Sequence, residues 1–352
     1  MEPKVKRVYM PKMKVFVAVI TAVVAVVVLV RLILLSNRFI TETGLSPSTV
    51  IGLIVNGGAS LKEIDGRTNV LLLGISGGTH TGADLTDTIM ILSFSHEARS
   101  LSLISVPRDI WSDTLKDKIN SSYHYGEEKS AQGGSASGRK KRGGLTLAKA
   151  IVEDMVGLPM HYSLVIDFSV FEEVINLVDG VSVNVPVAFT DPEFPIEGKE
   201  DEICAGDPKF SCRYESLHFD SGVQQMDGAR ALKYVRSRLA VGDEGTDFAR
   251  ARRQQEVLLA LKQKLTSPSV WLSPRRLRQL FLSFEKAIDS DMNIGELATI
   301  GKLFAAVDTE NTTRISLEGE LYSPPTIWYG RYVLIPKESF EEIHSFVKNQ
   351  LK

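Results

Sequence analysis

Cysteine is scarce in this chain: among 352 residues only Cys204 and Cys212 occur. Two thiols alone cannot complete a structural zinc site, which takes four ligands. In an extracytoplasmic segment, two nearby cysteines usually form a short local disulfide. The sequence therefore predicts a bridge between Cys204 and Cys212, provided that their segment lies outside the cytoplasm.

An excess of charge of either sign is also missing. The chain has 41 Lys and Arg against 43 Asp and Glu, a formal net charge of −2. Nucleic-acid-binding domains are normally basic, so a nucleic-acid partner is disfavoured. Nucleotide-binding signatures are absent as well: the glycine-rich stretch 77–82 follows a predicted strand, but neither a Walker A lysine nor a G-x-G-x-x-G pattern accompanies it.

One long apolar run stands near the N-terminus. Val15–Val30 contains no charge, and after Arg31 the run continues to Leu35. At 1.5 Å per residue, 15–35 reaches about 30 Å, the thickness of a bilayer's hydrocarbon core. Basic residues within 1–14 put the tail in the cytoplasm and the rest of the chain outside. A cleaved signal peptide is the alternative; the length of the run and the lack of an A-x-A-like site after it favour the anchor.

The remainder is long enough for one folded domain on a tether. We expect a stalk or linker over 36–65 and an extracytoplasmic catalytic domain over 66–352. A Gly-, Ser- and Lys/Arg-rich segment within it, 127–144, predicts a flexible loop, because such a composition buries little apolar surface. Its basic run 139–142 is either simply solvated or attracts anionic lipid or wall polymer.

Strand and helix patterns alternate along the domain. Short apolar runs rich in β-branched residues predict central strands at 69–75, 88–94 and 101–106. A helical period over 145–156 ends at a glycine, and a further strand pattern follows at 162–168. This alternation predicts an α/β fold, a three-layer α/β/α sandwich around a mixed sheet.

An arginine-rich stretch carries the strongest chemical signal. Arg236, Arg238, Arg250 and Arg253 lie among small and apolar residues between 227 and 255. Guanidinium groups match phosphate oxygens two at a time, so several together indicate a ligand with more than one phosphate. The alternative is a solvated basic helix face, the usual place of a charge run.

Two further groups of polar residues lie at predicted strand ends, where open α/β sheets place their sites. Asp87 stands between two threonines at the start of the second strand, and Arg108 and Asp109 follow the third in the sequence SVPRD.

Eight segments follow one another in a characteristic order: NVLLLGI, TDTIMIL, SVPRD, KINSSY, HYSLVIDF, LVDGVSVNV, GARALKYVRSR and DFARARRQQ. Together they closely resemble the motifs of the LytR-CpsA-Psr family, over residues 69–255. A single membrane span ahead of them is also the family's arrangement. The resemblance implies a membrane-anchored phosphotransferase that takes a glycopolymer from a polyprenyl pyrophosphate lipid and attaches it to peptidoglycan or a similar cell-wall acceptor.

Matched by motif, the resemblance implies catalytic roles for Asp87 and Asp247, with Asp87 also holding Mg²⁺ or Mn²⁺. It further implies that five arginines bind the pyrophosphate: Arg108, Arg236, Arg238, Arg250 and Arg253. One of the two carboxylates would take the proton of the acceptor hydroxyl, and the sequence does not separate them. Ser76 and Leu85 depart from the common family pattern, in which aspartate and arginine are frequent at these places; these departures concern the metal ligation rather than the reaction class.

Two other functions stay open at this point. A non-catalytic binder of polyprenyl pyrophosphate or anionic wall polymer would keep the arginines without needing Asp87. A transcription attenuator is less favoured, because the chain has neither a basic domain nor a helix-turn-helix signal and its folded part should lie across the membrane from DNA.

Overall fold

The computed structural model describes residues 26–31, 33–34, 36–37, 41, 59–78, 82–132, 143–271 and 273–352. The chain divides into two units, Met1–Ile51 and Gly52–Lys352. The predicted cytoplasmic tail and most of the predicted span lie outside the described residues. Among the described residues, no helix has both the length and the apolar character needed to cross a membrane.

Fourteen strands are described. In chain order they are β1 Arg67–Ile75, β2 Thr86–Ser95, β3 Ser100–Ser105, β4 Trp111–Ser112, β5 Asp117–Lys118, β6 Tyr162–Asp167, β7 Val181–Val185, β8 Phe189–Pro195, β9 Tyr214–Phe219, β10 Gly222–Met226, β11 Ile288–Ser290, β12 Thr312–Ser316, β13 Leu321–Tyr322 and β14 Ile335–Pro336.

The described α-helices are α1 Ser122–Gln132, α2 Gly143–Val156, α3 Phe168–Leu177, α4 Gly228–Arg236, α5 Asp247–Leu265, α6 Pro268–Trp271, α7 Pro274–Ala287, α8 Ile294–Ala306 and α9 Phe340–Gln350. Side chains cap several of them: the Asp227 carboxylate accepts from the backbone N–H of Arg230 at the start of α4, and the Thr246 hydroxyl accepts from Ala249 at the start of α5. Such caps satisfy backbone donors that a helix leaves unpaired at its start.

Six strands form the central sheet in the order β11-β6-β1-β2-β3-β12. β2 runs antiparallel to both of its neighbours, whereas β1 pairs with β6, and β3 with β12, in parallel. The mixed sheet predicted from the sequence is therefore confirmed. Because of this topology, the end of β1, the start of β2 and the end of β6 meet at one edge of the sheet.

Both faces of the sheet are buried. Successive strand residues point to opposite faces: Leu71 and Leu73 pack with buried residues of α2 and α9, whereas Val70 packs on the other side with Leu259 of α5 and Ile300 of α8. These two cores give the three layers that the alternation of elements predicts.

A further core lies beside the sheet. Strands β7 and β10 pair with each other, as do β8 and β9, and their apolar side chains pack on α4 and α5. Between β8 and β9, Cys204 and Cys212 form a disulfide with a Cα–Cα distance of 5.5 Å. The predicted bridge is confirmed.

The prediction of a flexible loop over 127–144 is wrong at both ends of that range. Residues 127–132 belong to α1 and 143–144 to α2, while 133–142 lie outside the described residues. A Cβ added at Gly126 would lie 2.3 Å from the Gly143 carbonyl oxygen, and one at Gly144 would lie 2.7 Å from the Tyr123 ring. Glycine at these positions therefore permits close packing of the two helices, whereas composition alone suggested a loop.

The last residues of the predicted stalk, 59–65, are attached to the domain. The backbone N–H of Lys62 donates to the Tyr162 hydroxyl at 2.9 Å, and the Thr68 hydroxyl donates to the Lys62 carbonyl at 2.9 Å. At the other end of the chain, Arg67 Nη1 donates to the Leu351 carbonyl at 3.2 Å. The beginning of β1 and the end of α9 thus lie side by side.

Candidate active site

A cavity of about 280 Å³ opens at the sheet edge where β2 begins. Charged residues from four parts of the chain line it: Asp87 from β2, Asp191 from β8, Arg236 and Arg238 from the end of α4 and the loop after it, and Arg250 from α5. The structure therefore brings together most of the site residues predicted from the sequence.

Asp87 and Arg108 form an ion pair between β2 and the loop after β3. Arg108 Nε also lies 3.4 Å from an oxygen of Asp109, which in turn accepts a hydrogen bond of 2.6 Å from Lys118 Nζ. Burial alone would lower the pKa of Arg108, but the carboxylates of Asp87, Asp109 and Asp247 outweigh it, and the pKa is raised. Arg108 is thus a permanent cation behind Asp87; it is not itself among the residues that line the cavity.

Arg250 is the most deeply buried cation of the cavity. Only 5% of the residue is exposed, and Nη2 lies 2.9 Å from Asp247 Oδ1 one turn earlier on α5. Burial, with a smaller effect of the charges of Arg108 and Arg238, lowers the pKa of Arg250 to about 10 against the opposing effect of Asp247 and Asp87. At neutral pH the side chain is still protonated. An anion bound beside it would replace the hydration that burial removes.

Arg236 and Arg238 reach the cavity from the end of α4. The Arg236 guanidinium lies over the rings of Phe168 and Phe194, 4.9 and 5.9 Å from their centroids. Arg238 Nε lies 4.0 Å from Asp247 Oδ1, and about half of the Arg238 side chain is exposed. Its remaining donors therefore face open space where a ligand would enter.

Asp191 holds the backbone that carries Arg238. One of its carboxylate oxygens accepts from the Ser237 hydroxyl at 2.7 Å and from the backbone N–H groups of Arg238 and Leu239 at 3.1 Å each. The residue is 1% exposed and lines the cavity. Asp191 lies in β8, 47 positions before Arg238, and the sequence around it did not predict this role.

Arg253 differs from the three arginines that line the cavity, Arg236, Arg238 and Arg250. It is 2% exposed and does not line the cavity, and its donors are used within the protein: on the Tyr234 carbonyl at 3.1 Å, the Ser237 carbonyl at 2.7 Å and the Glu244 carboxylate at 2.8 Å. The expectation that Arg253 grips the phosphate is therefore not met by its position. Through these contacts Arg253 holds the loop between α4 and α5, and Arg238 belongs to the same loop.

Apolar side chains also line the cavity: Phe168, Phe194, Pro195, Val235 and Leu239. They lie among the arginines, since Arg236 stacks on Phe168 and Phe194. Val170 and Ile175, on the same helix α3 as Phe168, are buried in the core instead. A ligand that fills the cavity would meet both cations and hydrocarbon.

The carboxylates suit a magnesium ion that shares its coordination with a substrate. Among the residues that the structure describes, no group of three Asp, Glu, His or Cys side chains stands ready to hold a metal. Mg²⁺ is commonly bound through only one or two carboxylates plus substrate phosphates and water. Asp87 at the cavity and Asp247 beside it fit that kind of site.

The chain is similar to several known proteins. The model of the LytR_cpsA_psr family matches residues 49–349. The chain is 25% identical over 306 residues to the polyisoprenyl-teichoic acid–peptidoglycan teichoic acid transferase TagT of Bacillus subtilis (strain 168), covering 83% of this chain and 80% of TagT. It is 23% identical over 269 residues to the transferase TagV of the same organism; that match spans 74% of this chain and 59% of TagV.

A solved structure of TagT bound to LIIa-WTA has a similar fold. Its TM-score is 0.54 at 23% sequence identity, covering 83% of this chain and 94% of that chain. Similarity at this level of identity supports the mixed α/β architecture.

The separate role of Arg253 gives a testable prediction. Arg253→Ala should lower the free energy of unfolding by about 3–5 kcal/mol, the range for breaking a buried ion pair, because it also removes the side-chain donor of three backbone carbonyls, those of Tyr234, Ser237 and Glu244. Denaturant unfolding measures the loss. Arg252→Ala is the matched control: Arg252 is next in the chain and half exposed, and its contact with Glu244 is 3.3 Å. Its loss should stay within about 0.5 kcal/mol. Equal losses in the two variants would contradict the structural role.

Proposed function

The chain belongs to the LytR-CpsA-Psr family, and from this premise we propose that it is a transferase that moves a glycopolymer from a polyprenyl pyrophosphate carrier to peptidoglycan or a similar wall acceptor. The curated relatives TagT and TagV are named as transferases of teichoic acid from a polyisoprenyl carrier to peptidoglycan. The finer proposal is that the group transferred is a phosphoryl-linked glycan, which makes the enzyme a phosphotransferase.

The observation that carries this proposal is the mixed lining of the cavity. Arg236, Arg238 and Arg250 supply guanidinium groups, and apolar side chains such as Phe168 and Leu239 line the same cavity. A lipid pyrophosphate likewise combines charge with hydrocarbon, because two phosphates are joined to a hydrocarbon chain. Cations positioned in advance bind the phosphates, and burial of hydrocarbon contributes roughly 25 cal/mol for each Å² removed from water.

Phosphoryl transfer needs positioning and charge neutralisation more than covalent help from the protein. In the proposed reaction the acceptor hydroxyl oxygen forms a bond to the sugar-linked phosphorus, the bond from that phosphorus to the bridging oxygen breaks, and the lipid phosphate leaves with the negative charge. Arg250 and Arg238 would stabilise the charge that develops on the phosphoryl oxygens. The start of α5, a helix of 19 residues, adds a partial positive charge at the same place.

The hydroxyl proton has to be accepted as the new bond forms. Asp87 lies at the cavity wall with one oxygen on Arg108, and Asp247 is bound to Arg250. Both are candidates for the base, and Asp87 is favoured because it lines the cavity. Asp87 and the substrate phosphates would hold Mg²⁺, which supplies further neutralisation of phosphate charge when bound.

The role of Asp87 can be tested with a nearly isosteric change. Asp87→Asn should lower transfer of a labelled lipid-linked oligosaccharide by about 100-fold or more if the carboxylate is the general base. The thermal midpoint should stay close to wild type, because Arg108 keeps its contact with Asp109. Asp220→Asn, with a side chain 85% exposed in the turn after β9, is the control and should keep full activity.

A different result would assign Asp87 to another role. Lost stability with full turnover per folded molecule would make it a structural partner of Arg108. Lipid binding without any turnover in the wild-type protein, with or without Mg²⁺, would favour the non-catalytic binder.

Arg238 should contribute to substrate binding rather than to folding. Arg238→Ala is expected to weaken binding of the lipid pyrophosphate by about 1.5–3 kcal/mol, the range for hydrogen bonds to charged groups. Equilibrium binding of a polyprenyl pyrophosphate in detergent measures this change. Arg252→Ala removes an equally exposed arginine that does not line the cavity and should bind as wild type. Unchanged affinity in Arg238→Ala would contradict the proposed grip.

We also propose that the apolar run 15–35 anchors the protein in the membrane with residues 66–352 outside the cytoplasm. The motivation is the basic excess before the run. A reporter enzyme that works only outside the cytoplasm, fused after Lys352, should be active. Activity of a cytoplasm-only reporter at the same position would refute the orientation.

A further inference from the structure

A cluster of aromatic side chains lies at the surface beside the acidic part of the site. It comprises Trp111, Tyr329 and Tyr332, with Trp328 next to Tyr329 in the chain; these four residues are called here the aromatic platform. The rings of Trp111 and Tyr329 meet edge to face with centroids 4.9 Å apart. Trp328 is 67% exposed and Tyr332 45% exposed. Large aromatic surface left in water often marks a place where a ligand or partner binds.

The platform is held against the loop that carries the site. The Trp111 backbone N–H donates to the Leu334 carbonyl at 2.9 Å, and the Leu334 N–H donates to the Asp109 carbonyl at 2.9 Å. Lys118 links the two regions through its side chain: Nζ donates to Asp109 at 2.6 Å and lies 5.8 Å from the centroid of the Tyr332 ring. Asp109 is also the carboxylate beside Arg108.

Tyr332 lies within electrostatic reach of the site's carboxylates. Burial raises the pKa of the Tyr332 hydroxyl, and the charges of Asp247 and Asp109 raise it further. Tyr332 is not among the residues that line the cavity. Lys118, Asp109 and Arg108 thus connect the platform to Asp87 at the cavity, so an acceptor bound on the platform would lie near the site that binds the donor.

The charges on this surface indicate whether an anionic or a neutral ligand binds there. Its cations are already paired: Lys116 lies 3.2 Å from Asp113, Lys118 2.6 Å from Asp109, and Arg331 2.8 Å from Asp117. An anionic polymer or an anionic lipid surface needs unpaired cations to be attracted. A neutral ligand with apolar faces and a polar rim needs only exposed rings.

A sugar ring has that character. The C–H groups on one side of a pyranose carry a slight positive polarisation, which suits the negative face of an aromatic ring, while the hydroxyls at the edge stay in water or bind polar groups. We propose that the aromatic platform binds the neutral glycan strand of the acceptor and delivers its hydroxyl to the carboxylates of the site. This inference rests on the proposed function, and it names the place and chemistry of the second substrate.

The test separates binding of the acceptor from binding of the donor. Trp328→Ala should raise the KM for uncrosslinked glycan strands about tenfold, a loss on the scale of one aromatic contact. The KM for the lipid-linked donor and kcat at saturating acceptor should stay as in the wild type. Trp328→Phe retains an aromatic face and should recover most of the loss. Ile203→Ala removes an equally exposed apolar side chain from the disulfide-bonded segment and is the control, with no change expected.

Direct binding gives an outcome that does not depend on transfer. The full chain in detergent is titrated with an uncharged chitin oligosaccharide by calorimetry, without donor. Saturable binding that is lost in Trp328→Ala supports the glycan site, even if the wild-type protein shows no transfer and the proposed function fails. Transfer with the same acceptor KM in Trp328→Ala and wild type overturns the glycan site and leaves the proposed function in place. Binding of anionic vesicles that requires Trp328, with no binding of oligosaccharide, would also overturn it.

Discussion

The buried guanidinium of Arg253 is the interaction on which the candidate site depends. It joins the last turn of α4, the residue after it and the following loop to α5, through the carbonyls of Tyr234 and Ser237 and the carboxylate of Glu244. Phe189 covers it, with the guanidinium 4.6 Å from the ring centroid. Since α5 also packs on the central sheet through Leu259, the loop takes its position from the core. Arg250, one turn earlier on the same helix, faces the cavity with its position already fixed.

Charge balance explains how so many cations lie close together. Asp87, Asp109 and Asp247 stand among Arg108, Arg238 and Arg250, and each carboxylate offsets at least one arginine. Without them, burial would make the cluster costly. Burial still lowers the pKa of Arg250, so compensation there is incomplete. Bound phosphate would complete it, and a site of this kind gains most from a ligand that carries several negative charges.

Sequence patterns predicted what depends on periodicity and motif order. The strands and the two-sided burial of the sheet followed from apolar runs, and Asp87, Arg236, Arg238 and Arg250 followed from their motifs. Sequence patterns could not predict contacts between distant segments. For example, Asp191 accepts a hydrogen bond from the backbone of Arg238, which lies 47 positions later in the chain. Arg253 was misassigned because charge and spacing do not reveal which arginine is buried. Gly143 and Gly144 were misjudged for a related reason, since glycine is favoured both in loops and where helices meet closely.

The hydrogen bond from Arg67 to the Leu351 carbonyl brings the two ends of the domain together. It puts the first strand's beginning and the last helix's end at one place, and β1 then runs nine residues to the cavity edge. At about 3.3 Å per residue, that strand covers roughly 30 Å. A surface or a fused protein attached near either terminus of the domain would thus be held about the length of β1 away from the cavity. For the same reason a short peptide could join the two ends in a circularly permuted chain, with new termini opened elsewhere.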